Sequence, residues 1–378
     1  MRLSGYQEAA NLFAQALELL KQAPASSQRN EQELALQIAL GIAHSVTKGF
    51  ASPQVEHAFA RARALCQQVG AVPQLFPALW GLFYYYLVRA EDRAMRDLAD
   101  QLMQMAAHVQ DPILRPVGHW AKGVTLLYAG ELEPAHTHLE KMLTFYNPDV
   151  SRSAIFRYVT DPGVACHFWS AWALWLRGYP DQSLKRSYEA LALAQRLNHP
   201  CSLAFALFTS ATLHQFRREP REALARAEAT IALADEHGFA FFQALGTVFR
   251  GWALTEMGEV KTGLDLMRDG FDQSHGSGSR IGKPHMLAML AEANGKIGQP
   301  GEGLTLLAEA LAAALDSNER HYEPEILRLR GDLLLQAGAD VHEVRDSYER
   351  AIALAQAQQA KSWEVRAALS LSKLGDGH

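Results

Sequence analysis

Cysteine is scarce in this chain, and the few cysteines that occur stand alone. Cys66, Cys166 and Cys201 form no C-x-x-C pair within the 378 residues. Isolated thiols argue against a disulfide framework and against a zinc site. We therefore expect a reduced, cytoplasmic protein that holds no metal and no other cofactor.

Charge of one sign and long apolar runs are also missing. The net charge is −5, and lysine and arginine are interspersed with acidic residues rather than gathered in a basic stripe. This balance argues against a nucleic-acid partner. The most apolar stretches, such as LWGLFYYYLV at 79–88, are about ten residues long, whereas a membrane-spanning helix needs about 20. We expect no membrane segment.

The sequence lacks the usual catalytic motifs. It contains no G-x-x-x-x-G-K-[ST] phosphate loop, no H-E-x-x-H and no G-x-S-x-G. Fifteen histidines are present, but His136 and His138 lie about 200° apart on a helix and cannot share a metal. The chain is therefore expected to have no catalytic residues and no metal ligands.

A period of about forty residues dominates the chain. Gly178, Gly258, Gly298 and Gly338 are separated by 80, 40 and 40 residues, and Arg218 occupies the missing position. Each marks a short polar break, such as RGYPDQ at 177–182, between two helical patterns. A glycine that ends one helix and a proline that begins the next predict an antiparallel helix pair. Because a lone pair cannot bury its apolar face, the pairs are expected to stack into a right-handed, all-α solenoid.

Breaks in the period give provisional boundaries. The small or apolar residue that marks each second helix recurs from Ala9 to Val344, mostly at intervals of 37 to 41 residues. Two longer intervals place insertions near 47–54 and 146–162. We expect a half repeat at 1–24, repeats at 25–146, an inserted loop at 147–162, repeats at 163–358, and a capping helix and tail at 359–378. The capping helix is expected to turn Trp363 and Leu369 inward. Since Ala9 belongs to a second helix, the chain is also interpreted as a fragment of a longer protein; the alternative is a full-length chain whose unpaired first helix serves as a cap.

Small residues at the helix crossings, followed by aromatic or leucine residues, resemble the tetratricopeptide repeat. Longer strings sharpen this resemblance, among them TDPGVACHFWSAWALWLRGYPDQSL, FRGWALTEMGEV and YEPEILRLRGDLLL. They are similar to the C-terminal repeat region of bacterial signalling proteins that combine a STAND-type ATPase with a class III nucleotide cyclase. The resemblance implies a sensor or partner-binding region whose nucleotide chemistry lies in other domains.

Aromatic residues recur at one position of the first helices. In WSAWALWL at 169–176, the positions of Ser170 and Ala171 match the face that packs on the partner helix. The direction about 120° from that face points toward the concave surface. It takes a set of rings in successive repeats: Trp80, Tyr84, Trp120, Phe168, Trp172, Trp175, Phe205, Phe208 and Trp252. A contiguous apolar patch is typical of a binding site. The alternative is that the helices curl tightly and bury these rings against the opposite wall.

The leading hypothesis is a non-enzymatic interaction or sensor module. Its aromatic concave surface would bind a peptide, a partner protein or a small effector, with further contacts from Arg152 and Arg157 in the inserted loop, and would regulate an ATPase or cyclase module outside this chain. A homodimer through the N-terminal end is a further expectation. The alternatives are an effector-sensing domain of a large ATP-dependent LuxR-type transcription activator, and an enzyme with an acid/base pair in the hollow. The repeat register places only Glu292 there, which disfavours the enzyme.

Overall fold

The computed structural model describes residues 3–70, 72–108, 114–149 and 160–376. These ranges contain α-helices and one short 3-10 helix at Arg320–Tyr322, and no β-strand. The α-helices are α1 (Leu3–Leu20), α2 (Ser27–Thr47), α3 (Pro53–Val69), α4 (Val72–Val88), α5 (Asp92–His108), α6 (Leu114–Tyr128), α7 (Leu132–Phe145), α8 (Pro162–Leu176), α9 (Pro180–Leu197), α10 (Pro200–Phe216), α11 (Pro220–His237), α12 (Ala240–Glu256), α13 (Val260–Gly276), α14 (Lys283–Lys296), α15 (Pro300–Ser317), α16 (Glu323–Gln336), α17 (Val341–Ala357) and α18 (Lys361–Asp376). The predicted all-α solenoid of helix pairs is confirmed.

The polar breaks form as the sequence predicts. Gly178 has φ +90° and Gly258 has φ +100°, the left-handed conformation that ends a helix without a Cβ penalty. Arg218, in the position without glycine, takes the same conformation at φ +60°. Two residues after Gly178, Pro180 occupies the first turn of α9, where its missing N–H costs nothing. Each break therefore reverses the chain within a few residues.

Small residues let the two helices of a pair approach closely. The Ser183 hydroxyl of α9 donates to the Ala171 carbonyl of α8 at 2.7 Å. In the pair α12–α13, a Cβ added at Gly251 would lie 2.5 Å from the carbonyl oxygen of Gly263, so only glycine fits. Both contacts fall on the face predicted to pack on the partner helix.

The solenoid curls until its earlier repeats, α2–α8, touch its later repeats, α10–α18. We call this line of contacts the seam. The Val88 carbonyl accepts backbone hydrogen bonds from the amides of Arg280 and Ile281, at 2.7 and 3.0 Å. One repeat further along, the Tyr128 ring packs edge-on against His321 with centroids 5.1 Å apart. Val88 and Ile281 are 193 residues apart in the sequence, and so are Tyr128 and His321. The next seam contact, from the Ser362 hydroxyl to the Trp175 carbonyl, spans 187 residues, so the register shifts after the inserted loop.

Helix α18 closes the seam at its C-terminal end. Trp363 is 1% exposed and packs edge-on against Trp175 of α8, with ring centroids 4.7 Å apart. The expectation that Leu369 also faces inward is wrong, because Leu369 is 55% exposed. At about 100° per residue, position 369 lies about 120° away from position 363 around the helix. Ala367 and Leu374, which share the face of Trp363, are the buried residues instead.

The boundary predictions concern segments that the structure describes only in part. Helix α1 packs on α2, and residues 150–159 of the inserted loop lie outside the described residues. Arg152 and Arg157 are among them. In the described ranges, no helix combines the length and apolar character needed to cross a bilayer.

Candidate functional site

An apolar cavity of about 100 Å³ lies inside the seam. Its walls come from the earlier repeats (α4, α6 and α8) and from the later repeats (α10, α12 and α14). Six of the nine rings predicted for the concave face line it: Tyr84, Trp120, Phe168, Trp172, Phe205 and Phe208. The structure therefore brings most of the predicted set together around one space.

The other three rings pack behind the cavity walls. Trp80 lies against Trp120, with centroids 4.6 Å apart. Trp175 is covered by Trp363, and Trp252 lies under the Arg218 guanidinium, 5.9 Å from its ring centroid. These three side chains contact other protein groups rather than the cavity.

The rings form an enclosed cluster and not an open groove. Trp120, Phe168 and Trp172 are buried, while Tyr84, Phe205 and Phe208 are half-buried. Neighbouring rings touch along the chain of repeats: Tyr84 stacks on Trp120 at 5.3 Å, and Phe168 meets Phe205 edge-on at 5.6 Å. Tight curling of the solenoid covers these side chains with the opposite wall and leaves only the cavity between them.

Four of the residues that line the cavity carry a buried hydrogen-bond donor with no acceptor among the described residues. They are the indole N–H groups of Trp120, Trp169 and Trp172 and the hydroxyl of Tyr84. Burial raises the pKa of Tyr84, with smaller contributions from Cys201 and Asp161, so the phenol keeps its proton. Buried indole and phenol groups usually find an acceptor. The donor atoms themselves have almost no accessible surface, so the surface that these residues present to the cavity is mostly apolar.

A second, wider cavity of about 400 Å³ adjoins the first. Phe50, Val88, Phe241 and Phe242 line both spaces. The outer cavity is bordered by the α2–α3 connection, by the start of α12 and by the end of α13, and its lining includes the exposed Lys48. The two cavities are therefore neighbours that share a wall.

The hollow becomes polar toward its C-terminal end. Glu292 forms an ion pair with Arg218, and the Nη1 of Arg218 also donates to Glu256 at 3.2 Å. Burial alone would raise the pKa of Glu292, but the charge and hydrogen bonds of Arg218 hold the pKa at about 2. Glu292 is thus committed to its ion pair, and its low pKa does not suit a general base or acid at neutral pH.

Several residues that line the cavity are not among those predicted from the sequence. Trp169 is not among the nine rings predicted for the concave face, yet it lines the cavity beside Tyr128, with centroids 5.3 Å apart. Phe50 and Phe242 come from segments that the repeat register does not align with the inner face. The signal available in the sequence is the composition of α8, PGVACHFWSAWALWL, which is apolar on nearly every face; in the structure fourteen of its fifteen residues are buried. A helix buried all round has its second face against the rest of the molecule.

Among the described residues, no group of three or more histidine, cysteine, aspartate or glutamate side chains could hold a metal ion. Two histidines meet between α6 and α7, where the Nδ1 atoms of His119 and His138 are 3.0 Å apart. Burial, and then the charge of His138, lowers the pKa of His119 to about 4. Two neutral imidazoles that share one hydrogen bond explain this contact.

Comparisons with known proteins place the fold. No family model matches the sequence, and no curated protein matches it. A solved structure of a Rap protein complexed with Competence and Sporulation Factor is similar over 100% of both chains, with 14% identity and a TM-score of 0.50. NprR in complex with its cognate peptide NprX is similar over 91% of this chain and 99% of that chain, with 12% identity and a TM-score of 0.53. A STAND protein with a tetratricopeptide repeat sensor from Pyrococcus horikoshii is similar over 91% of this chain and 49% of that chain, with 12% identity and a TM-score of 0.48. At these identities the first two similarities show the fold alone, which is that of a tetratricopeptide-like helical solenoid.

Proposed function

We propose that this chain is a non-enzymatic sensor module that binds an effector in the aromatic cavity at its seam. The observation that carries the proposal is the cavity itself, whose rings come from both sides of the seam. A ligand there contacts Tyr84 and Trp120 on one side and Phe205 and Phe208 on the other. Binding energy therefore goes into holding the two sides together.

The same arrangement supplies a means of regulation. A ligand that favours the closed seam over an open one shifts the population of the two states by its difference in affinity for them. A partner that binds the open and closed seam differently then responds to the ligand. In this proposal the partner is an ATPase or nucleotide cyclase module outside these 378 residues. The three buried free cysteines fit a cytoplasmic location for such a module.

Two ligand classes compete for this role. The Rap and NprR complexes suggest a peptide or a peptide-like factor for a solenoid of this fold. In this chain the inner cavity measures about 100 Å³, whereas an apolar cavity of roughly 150 Å³ already suits a benzene-sized molecule. The inner cavity is too small for a peptide, so we favour a small effector, with a peptide confined to the outer cavity.

Hydrogen exchange across the seam tests this proposal. The full chain is screened by thermal shift against small apolar molecules and short peptides. For each molecule that stabilises the chain, exchange of the Arg280 and Ile281 amides, which are bonded to Val88 across the seam, is measured by mass spectrometry. We expect at least tenfold slower exchange in the bound protein.

Two leucine variants make the test specific. Leu245→Phe fills part of the cavity and should abolish both stabilisation and slowed exchange, because Leu245 lines the cavity. Leu264→Phe is the matched control, since Leu264 is equally buried but does not line it. The proposal fails if nothing in the screen changes exchange at the seam, or if the change survives in Leu245→Phe.

We also propose that a second copy docks on α1. Leu12 and Leu19 are 56% and 68% exposed and, seven residues apart, lie on one face of the helix. Sedimentation analysis should show a dimer that Leu12→Glu and Leu19→Glu convert to a monomer. A monomer at all concentrations in the unmodified chain would refute this part.

A further inference from the structure

We propose that the inner cavity selects a compact hydrocarbon group of about four carbon atoms and rejects molecules of the same shape that carry a hydrogen-bonding or charged group. The inference rests on the proposed function and adds the chemical class and size of the group that the effector buries. It follows from the way in which the polar atoms of the lining are occupied or covered, together with the volume of the cavity.

Four lining residues contribute carbon atoms to the wall while their polar atoms are covered by protein. The indole N–H groups of Trp120, Trp169 and Trp172 and the hydroxyl of Tyr84 have almost no accessible surface. A molecule in the cavity therefore meets the ring carbons and cannot reach these donors unless the rings move. An oxygen or nitrogen atom of a ligand gains no hydrogen bond from them.

Three other polar groups of the lining are already bonded within the protein. The Thr212 hydroxyl donates to the carbonyl of the preceding helical turn at 3.2 Å. The Gly282 amide donates to the Glu319 carboxyl group at 3.0 Å. The Nε2–H of His285 donates to the Oε1 of Gln215, also at 3.0 Å. These groups are satisfied without a ligand, so a polar ligand would have to compete with a bond that exists.

The lining also offers no countercharge. Among the described residues that line the cavity, none is a lysine, arginine, aspartate or glutamate. The lining histidine, His285, is uncharged at neutral pH, because burial lowers its pKa to about 3. An ion here would lose its hydration without gaining an ion pair. Water is disfavoured as well, since a buried water molecule needs about two to four polar partners. The cavity therefore favours an apolar occupant.

The volume of the cavity limits the size of that occupant. An apolar cavity of roughly 150 Å³ holds benzene, so each carbon atom takes roughly 25 Å³. The inner cavity measures about 100 Å³ and thus holds about four carbon atoms, the size of a butyl group. A group of this size touches rings on both sides of the seam, whereas a larger group must push the two sides apart.

Three probes with the same planar, branched shape separate apolar contact, hydrogen bonding and charge. Acetone replaces the C=CH₂ group of methylpropene by C=O, and acetate adds a negative charge. Each is titrated into the full chain labelled with ¹³C-methyl methionine, and the nine methionine methyl resonances are followed by NMR. Met286 lines the cavity, while Met289 on the same helix is buried and does not line it. We expect methylpropene to shift the Met286 resonance more than that of Met289, and to bind more tightly than acetone or acetate by about tenfold or more.

Benzene and two variants test the size limit. Benzene is apolar but exceeds the volume of the cavity, so it should bind about tenfold more weakly than methylpropene. Leu245→Phe, which fills part of the cavity, should abolish the effect of methylpropene on Met286, and Leu264→Phe should keep it. The wild-type titrations need no substitution, so they decide the matter even where a variant fails to fold.

The outcomes distinguish this inference from the proposed function. Acetone that binds as tightly as methylpropene would show a hydrogen-bond partner in the lining and overturn the inference, and tighter binding of acetate would do the same. Benzene that binds more tightly than methylpropene refutes the size limit. A Met286 resonance that responds to none of the four molecules also overturns the inference. The proposed function is decided separately, because it fails only if no molecule slows exchange at the seam or if the change survives in Leu245→Phe.

Discussion

Removing the indole of Trp363 should open the C-terminal end of the seam. The ring is almost fully buried and meets three aromatic rings: Trp175 at 4.7 Å, Tyr322 at 5.2 Å and Phe216 at 5.6 Å between centroids. Its N–H donates to the His321 carbonyl at 3.0 Å. Trp363 therefore joins α18 to α8 and α10, which are far away in the sequence.

The expected cost of Trp363→Ala follows from these contacts. A buried tryptophan truncated to alanine loses about 3–5 kcal/mol through lost burial and the cavity left behind. Loss of the hydrogen bond adds about 1 kcal/mol. The sum, about 5 kcal/mol, is a large part of the 5–15 kcal/mol that typically separates folded from unfolded domains.

Urea denaturation followed by circular dichroism measures this cost. With a slope of about 3 kcal/mol per molar urea, the midpoint should fall by about 1.5 M. Leu369→Ala on the same helix is the control, because Leu369 is exposed and should change the free energy of unfolding by less than about 0.5 kcal/mol. If both variants shift the midpoint by the same small amount, the closed seam contributes nothing to stability and the reasoning is refuted.

Three further predictions concern backbone strain, pH and buried charge. Ala90 has φ +54°, a strained conformation for alanine, so Ala90→Gly should raise the melting temperature by about 2 °C. Gly258 has φ +100° and nothing lies near its added Cβ, so Gly258→Ala should lower the melting temperature through backbone strain alone. Shifts of the same sign in calorimetry would contradict this reasoning. Burial raises the pKa of Glu319 to about 8 from 4.5, so the folded chain keeps a proton that the unfolded chain releases. The free energy of unfolding should therefore fall as pH rises from about 5 to 8, and Glu319→Gln should lack this contribution to the pH dependence. The prediction is rejected if urea titrations give a difference in free energy of unfolding between the wild type and the variant that does not change with pH. Arg218→Met should lower the free energy of unfolding by about 3 kcal/mol, because it leaves Glu292 without its countercharge. Adding Glu292→Gln should restore more than half of this loss, as measured by a double-mutant cycle in urea.

The local architecture could be predicted from the sequence because it depends on neighbouring residues. Gly178 and Pro180 specify a break through backbone conformations that glycine and proline alone favour. The contact between Ser183 and Ala171 follows from the small residues at the helix crossing. The period then propagates these local rules along the chain.

The seam could not be predicted, because it depends on how much each repeat rotates relative to the last. A small change in that rotation decides whether the rings of α8 face water or the far wall. The register groups Phe168 with Trp172, which both line the cavity, but it gives no reason to join them to Phe242 or to place Trp169 there. The unpaired indole donors are likewise visible only once the surroundings of each ring are known.

The pairing of specific residues across the seam has a consequence for how this protein tolerates change in length. In an open solenoid each repeat contacts only its neighbours, so adding or deleting one repeat preserves every other contact. Here the Val88 carbonyl needs the amides of Arg280 and Ile281. A whole repeat lost between them shortens the circumference and mispairs the contacts further along the seam. The number of repeats is thereby fixed by closure, and unfolding should be one cooperative event rather than a gradual loss of repeats from the ends.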